Sequence, residues 1–264
     1  MEDVVKSALG IPTEGYLHQL YFRYPLKGGF EKVVQQLIKP SASLKTNFEV
    51  QKIARGKDGW RVNGSGGTRH FEHLVISFPI HEAVKCFNDV PKAIVSAIGD
   101  LRYNSVRIVF LAVNNESLMG KSAVYIPDPS VLPHRVCYMG FFSPNMVKPR
   151  TSSLIAEVTA PPGGELDRMS DDALVEESVR GLESVGILKR GDIIASETRR
   201  FEYGYPVYNL NYSANMKRIR AYFSELGVDL LGRFAEFEYI NSDECIHRAI
   251  TMARRLNKLP HATA

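Results

Sequence analysis

Short groups of residues in this 264-residue chain have the types and spacing of known chemical sites, but their surroundings argue against most of them. Gly120-Lys121-Ser122 ends like a phosphate-binding P-loop, yet strand-like residues follow it, so no helix N-terminus is there to hold a phosphate. His70 and His73 have the types of a metal-binding pair, but in a strand-like run an offset of three places them on opposite faces. The sequence therefore predicts neither a P-loop nor a metal site.

Aromatic and basic side chains recur on the strand-like runs of residues 80–203, where no nucleophile lies beside a base. Such side chains can line a pocket, and an arginine there would bind a phosphate or carboxylate on a substrate. The same scatter is also typical of core and rim positions in a sheet. The candidate substrate-binding residues are Tyr103, Arg107, Tyr125, Arg135 and Tyr138.

Composition and charge narrow the class of protein. Hydrophobic residues are 44% and charged residues 23%, which is typical of a globular chain rather than a disordered one. The net charge is only +4, and the basic residues are spread out, so a nucleic-acid surface is not expected. No apolar run approaches the roughly 20 residues that span a bilayer. Three distant cysteines form no disulfide pattern, and we expect a soluble protein of the reducing cytoplasm.

Periodicity predicts the elements that must position these side chains. Apolar residues at helical spacing after Gly28 and Gly29 predict a helix over residues 30–38. The continuous apolar run at 74–78 predicts a strand buried on both faces. Further strands are predicted at 46–54, 59–62, 68–78, 105–113, 123–127, 134–142, 153–160 and 192–201, and helices at 80–87, 91–98, after Ser170, after Pro206 and from Ser242.

Several segments resemble conserved stretches of FAD enzymes in the amine oxidase superfamily, and they occur in the family's order and spacing. Residues 24–30 resemble its proline and double-glycine segment before a helix, and residues 50–79 resemble its paired-strand run ending in proline. Residues 232–243 resemble the signature that closes the FAD domain, and residues 205–208 match the stretch before it. The nearest groups are protoporphyrinogen-oxidase-like flavoproteins and UDP-galactopyranose mutases.

The resemblance implies a set of cofactor-binding residues. Adjacent glycines let a flat cofactor approach the backbone, and the guanidinium of Arg233 suits a pyrophosphate or a flavin carbonyl. Asp243 and the N-terminus of the last helix would meet the ribityl chain and the flavin. A plain turn, a surface ion pair and a helix cap are the structural alternatives at Gly28 and Gly29, Arg233 and Asp243. The implied residues are Gly28, Gly29, Val50, Ser77, Pro79, Gly232, Arg233, Asn241 and Asp243.

The resemblance also implies a mixed α/β fold with two parts. Residues 16–79 and 204–259 would form a partial FAD-binding domain, and residues 80–203 an inserted, mainly antiparallel substrate-binding domain. The Gly-x-Gly-x-x-Gly unit that opens such domains is missing from the sequence. The chain is therefore expected to be the C-terminal part of such an enzyme, as an excised piece, a split gene or a degenerate paralogue. Alone, it should bind FAD weakly or not at all.

The function implied is part of an FAD-dependent oxidoreductase that transfers a hydride from a small-molecule substrate to the flavin. One alternative is a mutase-like flavoenzyme acting on a sugar nucleotide, and another is a binding module without cofactor. An oxidase predicts a mainly apolar cleft, whereas a sugar nucleotide predicts basic and aromatic residues in one cleft. Besides FAD and substrate, a separate chain carrying the N-terminal FAD-binding unit is a candidate partner.

Overall fold

The computed structural model describes residues 6, 23–38 and 44–258. The helices of this part are α1 (Glu31–Ile38), α2 (Ile80–Ala83), α3 (Lys92–Gly99), α4 (Met139–Phe142), α5 (Glu165–Arg168), α6 (Asp171–Ser184), α7 (Tyr212–Leu226), α8 (Gly232–Ala235) and α9 (Ser242–Leu256). The strands are β1 (Val50–Gly56), β2 (Gly59–Gly64), β3 (Gly67–Phe71), β4 (Leu74–Ile76), β5 (Arg102–Val113), β6 (Ala123–Tyr125), β7 (Arg135–Tyr138), β8 (Ser152–Ala160), β9 (Ile193–Val207) and β10 (Val228–Leu230). Short 3-10 turns lie at Val84–Cys86, Glu116–Met119, Pro144–Met146 and Arg190–Asp192.

An antiparallel sheet of described strands, which we call the large sheet, has the order β6-β7-β8-β5-β9. Strand β5 pairs with β8 on one side and with β9 on the other. Asn104 pairs with Tyr205 whereas Val106 pairs with Phe201, so β9 bulges at residues 202–204. Because a bulge changes the direction of the following side chains, it sets the position of Tyr205 at the end of the sheet.

The strands outside the large sheet form two small groups. Strands β1, β2 and β3 make an antiparallel meander in which Gly64 pairs with Gly67 across the tight turn. Strands β4 and β10 pair in parallel, although some 150 residues separate them in the sequence, with Leu74 opposite Val228 and Ile76 opposite Leu230. Among the described strands, β4 pairs with β10 only, so its other edge has no strand partner.

The described apolar residues form two cores. The first joins the meander, α7 and β10 to the helices of residues 80–101, with Trp60, Ile80 and Phe223 nearly inaccessible. The second lies between α6 and one face of the large sheet, where Leu111 and Leu174 are fully buried. The Ser170 hydroxyl accepts a hydrogen bond from the Ala173 N–H at 3.3 Å, which caps α6 as the sequence predicts.

The predicted mixed α/β fold with an antiparallel inserted sheet is confirmed. Residues 80–101 share the first core, so they pack with the segments predicted for the partial FAD-binding domain rather than with the large sheet. Strand β9 runs across the predicted limit at residue 203.

Three local predictions are wrong for identifiable reasons. Met139–Phe142 forms helix α4 instead of extending β7, because the pairing of β7 with β8 ends at Tyr138. The run at 68–78 divides into β3 and β4, which belong to different sheets. Val75 in β4 is 37% exposed instead of buried, because no described element covers that face. Strand β10 and helix α8 were too short to show any periodicity in the sequence.

Two amphipathic helices present apolar residues that the described chain does not bury. Helix α1 has no buried residue, and its Leu37 is 56% exposed. Helix α9 is also without a buried residue, and its Ile250 is 47% exposed. Neither these nor any other described helix has the length and apolarity needed to cross a bilayer. In the same part of the chain, no group of three or more His, Cys, Asp or Glu side chains is placed to hold a metal ion.

Candidate functional site

The parallel pair of β4 and β10 brings two distant parts of the sequence to one edge. Both strands end there, and the Leu231 N–H donates to the Ile76 carbonyl at 2.9 Å. The residues that follow β4 include Ser77 and Pro79, and those that follow β10 include Gly232 and Arg233. The carboxyl edge of parallel strands is where α/β proteins bind ligands. Four of the predicted cofactor-binding residues therefore lie at this edge.

Arg233 occupies the centre of this edge. Its Nη2 donates to the Gly204 carbonyl at 2.6 Å and its Nη1 to the Ile240 carbonyl at 3.4 Å. The guanidinium carbon also lies 4.5 Å from the ring centre of Tyr239 and 5.1 Å from that of Tyr205, within cation–π range. The Nε–H is buried and has no hydrogen-bond partner. Arg233 is thus held by backbone carbonyls and aromatic rings, and its buried Nε–H is left without a partner.

The start of α9 lies beside Gly232. A Cβ on Gly232 would lie 3.7 Å from Cys245 Sγ in the first turn of α9, and Gly232 has a φ of +82°, which favours glycine. Asn241 and Asp243 are exposed at this end of the helix. The Asn241 side chain makes no capping hydrogen bond, so the positive end of the α9 dipole is open to a polar group.

The other predicted cofactor-binding residues lie away from Arg233. Gly28 and Gly29 precede α1; Gly28 is exposed, and Gly29 lies near Met146. In the same region Ser143 Oγ donates to the Leu26 carbonyl at 2.5 Å. Val50, at the start of β1, lines a groove with Phe78. Phe78 lies between Ser77 and Pro79, so this groove reaches the carboxyl edge of the parallel pair, whereas Gly28 and Gly29 lie in a different part of the chain.

Two predicted substrate-binding residues meet on the face of the large sheet opposite α6, which we call the front face. Arg135 Nε donates to Glu157 Oε1 at 3.0 Å, and Arg135 Nη1 donates to the Tyr125 hydroxyl at 3.3 Å. Arg135 and Glu157 pair directly across β7 and β8, and Tyr125 pairs with Arg135 from β6. These three residues form the polar end of the front face.

Tyr205 connects this polar end to Arg233. Its hydroxyl donates to Glu157 Oε2 at 3.0 Å and accepts from Arg135 Nη2 at 3.2 Å, while its ring lies against the Arg233 guanidinium. The ring also stacks on Tyr239, with the two ring centres 5.6 Å apart. The bulge in β9 is what places the Tyr205 side chain here. One continuous network therefore runs from the front face to the carboxyl edge of β10.

The electrostatics keep this network in fixed protonation states. Burial and the neighbouring Glu157 carboxylate raise the pKa of Tyr205 to about 12, so the hydroxyl keeps its proton at neutral pH. Burial acts to lower the pKa of Arg135, but the hydrogen bonds to Tyr125 and Glu157 outweigh it, and the net pKa lies above its ordinary value. Arg135 therefore stays positively charged beside Glu157.

The remaining substrate-binding candidates lie elsewhere. Tyr138 is buried in the second core, on the α6 side of the sheet. Arg107 is also buried on that side, where Nη2 donates to Asp171 Oδ1 at 2.5 Å and Nη1 to the carbonyls of residues 166 and 169. The sheet separates both from the front face. Tyr103 instead lines a narrow cleft with His81 and Arg233, next to the carboxyl edge of the parallel pair.

The profile of the family described as "Flavin containing amine oxidoreductase" matches residues 6–219, which is most of the chain. The chain belongs to this family. Among curated proteins, no sequence matches it.

Several solved structures resemble this chain in fold. A reduced UDP-galactopyranose mutase aligns over 88% of the chain and 52% of its own, with a TM-score of 0.76 and 17% identity. A putative protoporphyrinogen oxidase from Exiguobacterium sp. 255-15 aligns over 86% of the chain and 51% of its own, with a TM-score of 0.72 and 16% identity. A fatty acid isomerase from P. acnes aligns over 86% and 52%, with a TM-score of 0.63 and 13% identity. The chain spans about half the length of these proteins.

Sequence reasoning missed two residues that organise the candidate site. Glu157 is the one charged residue of strand β8. A carboxylate is rarely buried without a partner, so its place in a strand of small and apolar residues is a signal that the sequence does contain. His81 packs against Tyr103, Tyr203 and Phe237 in the cleft beside Arg233, and burial lowers its pKa. Nothing in the spacing of these aromatic residues predicts that they meet.

Proposed function

We propose that this chain supplies the substrate-binding domain and the second half of the FAD-binding domain of an FAD-dependent oxidoreductase. The observation that carries the proposal is the carboxyl edge of β4 and β10, where Pro79, Gly232 and Arg233 meet beside the open N-terminus of α9. When bound, FAD would accept a hydride from the substrate. We place the boundary between the two domains near residue 101, where the first core ends and the large sheet begins.

The residues at this edge fit the cofactor that the family name implies. The open positive end of α9 would stabilise negative charge, and the exposed Asp243 and Asn241 would hydrogen-bond hydroxyl groups. Gly232 leaves space at the start of α8 that a side chain would fill. Arg233 carries a buried Nε–H without a partner, which is a donor available to a carbonyl or phosphate oxygen. Ser77 and Val50 would contribute backbone groups.

We further propose that the cofactor is retained only together with a strand–Gly-x-Gly-x-x-Gly–helix unit, in the same polypeptide or in a separate one. The unpaired edge of β4 would receive the strand of that unit, since parallel strands are normally flanked and covered. The apolar side of α9, with Ile250 exposed, and the uncovered Val75 would supply the surface against which it packs.

The experiment is co-expression of this chain with such a unit from the source genome, followed by purification and an absorbance scan for bound flavin. We expect a yellow complex, and a colourless chain without the unit. In the complex, Arg233→Ala should weaken FAD retention by removing a charge-assisted hydrogen bond worth about 2 kcal/mol. The control is Arg254→Ala in the last turn of α9, where the side chain is exposed.

Arg233 also holds the Gly204 and Ile240 carbonyls, so each variant is checked by circular dichroism before its flavin content is compared. Arg233→Lys serves as a second variant, because lysine keeps the positive charge but loses the planar fork. A complex that forms and folds yet contains no FAD would refute the proposal and favour a binding module without cofactor. Equal FAD retention in the Arg233 variants and the control would show that this arginine is structural only.

A further inference from the structure

The front face of the large sheet has an apolar part beside its polar end. Phe110 pairs with Ile155 across β5 and β8, and Ile155 pairs with Cys137 across β7. The next row holds Ile108, Glu157 and Arg135 in the same way. Ile108, Phe110 and Ile155 are half-buried, and they belong to neither of the two cores that the described residues form.

The charged residues on these two rows are already paired with one another. Arg135 pairs with Glu157 on β7 and β8. At the β9 end of the rows, Arg199 pairs with Glu197, the residues opposite Ile108 and Phe110. Arg107 is behind the sheet and is neutralised by Asp171. Within these rows of described residues, every arginine has a carboxylate partner. Freeing Arg135 would leave the buried Glu157 carboxylate without its cation.

The front face is also continuous with the proposed cofactor edge. Tyr205 contacts Glu157 and Arg135 with its hydroxyl and Arg233 with its ring. A molecule lying on Phe110 and Ile155 would thus be separated from the Arg233 edge by the Arg135–Glu157–Tyr205 cluster only. The cluster offers hydroxyl groups to a polar end of that molecule but no net charge.

We infer that the front face binds a substrate with an uncharged, apolar body, and that it does not bind a sugar nucleotide. This inference rests on the proposed function, because it takes the large sheet as the substrate-binding part. The apolar body would pack on Phe110, Ile155 and Ile108 and exclude water there. A single polar group on the substrate would be met by Tyr125 or Tyr205. The charge pairing disfavours binding of a diphosphate. Its two negative charges would lie on rows where each arginine already has a carboxylate partner.

The test uses the full chain and two probes. N-phenyl-1-naphthylamine, an uncharged apolar fluorophore, is titrated with fluorescence detection, and UDP is titrated by calorimetry. We expect saturable binding of the fluorophore and no saturable heat with UDP. Ile155→Lys should weaken binding of the fluorophore by at least about tenfold, because the lysine ammonium group would lose water where the apolar probe packs on it. The control is Val95→Lys on α3, where the side chain is 49% exposed and the helix packs on the first core instead of on the large sheet.

Other exposed apolar side chains on α1 and α9 also attract the fluorophore, so the comparison of the two lysine variants decides the result. If circular dichroism shows that Ile155→Lys does not fold, Phe110→Ser replaces it.

Equal fluorophore affinity in the front-face variant and Val95→Lys would overturn the inference, as would saturable UDP binding that Arg135→Ala abolishes. Neither probe requires FAD. A chain that retains FAD with its partner unit yet binds UDP refutes this inference alone, whereas fluorophore binding without any FAD retention refutes the proposed function alone.

Discussion

The Tyr205 hydroxyl lies 3.0 Å from Oε2 of Glu157 and joins the end of β9 to the middle of β8. Glu157 is only 7% exposed, and its other carboxylate oxygen accepts from Arg135. Through the ring of Tyr205, this buried pair also fixes one side of Arg233. The side chains proposed to contact substrate and those proposed to contact FAD therefore belong to one contact network. A substitution of Glu157 should also change the position of Arg233.

Glu157→Ala should lower the free energy of unfolding by about 3 kcal/mol, because it leaves the half-buried Arg135 without its carboxylate. The control is Glu177→Ala on α6, whose exposed carboxylate pairs with Arg180 along the same helix and contributes no more than about 0.5 kcal/mol. Urea unfolding at neutral pH measures both. Similar losses in the two variants would contradict the assignment of Arg135 and Glu157 as a buried pair.

Gly204→Ala should lower the free energy of unfolding by about 2 kcal/mol, since a Cβ at this position would lie 2.3 Å from Cγ2 of Val106 and force the bulge of β9 open. Because Gly204 also accepts from Arg233, the environment of Tyr205 and Tyr239 should change in near-ultraviolet circular dichroism. Gly191→Ala is the matched control, with no heavy atom within 4 Å of its Cβ. An unchanged Gly204→Ala variant would mean that the bulge is not as tight as the structure shows.

His81 should make the protein less stable as the pH falls. Burial lowers its pKa in the folded state, so the unfolded chain binds the proton first. The loss in the free energy of unfolding that His81 causes is absent above the pKa of about 6.5 in the unfolded chain. This loss grows as the pH falls from there towards the pKa in the folded state. His134, whose pKa burial also lowers, adds to the same slope.

The measurement is the urea midpoint at about pH 7.5 and about pH 5.5, on either side of the ordinary histidine pKa. His81→Phe, which fits among the surrounding rings of Tyr103, Tyr203 and Phe237, should reduce the difference between the two midpoints. His70→Phe on the exposed strand β3 is the matched control. If His81→Phe keeps the full difference, another group causes the acid sensitivity.

Asp100→Ala should lower the free energy of unfolding by about 2 kcal/mol. Asp100 Oδ2 accepts from the side-chain amides of Asn215 and Asn211 at 2.8 and 3.0 Å, which ties the end of α3 to the start of α7. Asn215 is 6% exposed, so the substitution leaves a buried amide without an acceptor. Asn211→Ala removes an exposed member of the same cluster and should cost well under half as much. Thermal unfolding of the two variants gives the comparison, and equal losses would count against the burial argument.

The sequence by itself determined most of the local structure and the family. Helical spacing predicts a helix after Pro206, where α7 lies, and a last helix from Ser242, where α9 begins, and Ser170 predicts the start of α6. The proline, glycine and arginine residues of the family-like segments are recognisable in order, because each has a backbone or charge property that another residue does not supply. Helical spacing, a capping residue and a family-like segment each involve residues close together in the chain, so they can be recognised from the sequence alone.

Only the tertiary structure decided which of the candidate residues meet. Arg107 and Arg135 look alike in the sequence, but strand alternation and the register of the large sheet place Arg107 behind it, against Asp171, and Arg135 on the front face, against Glu157. The parallel pairing of β4 with β10 joins residues some 150 positions apart, and the bulge in β9 aims Tyr205 at Arg233. Register and long-range strand pairing depend on packing of the whole chain, for which no local pattern exists. Which charged residues lie on the front face, and which of them pair, therefore follows from the fold and not from the composition.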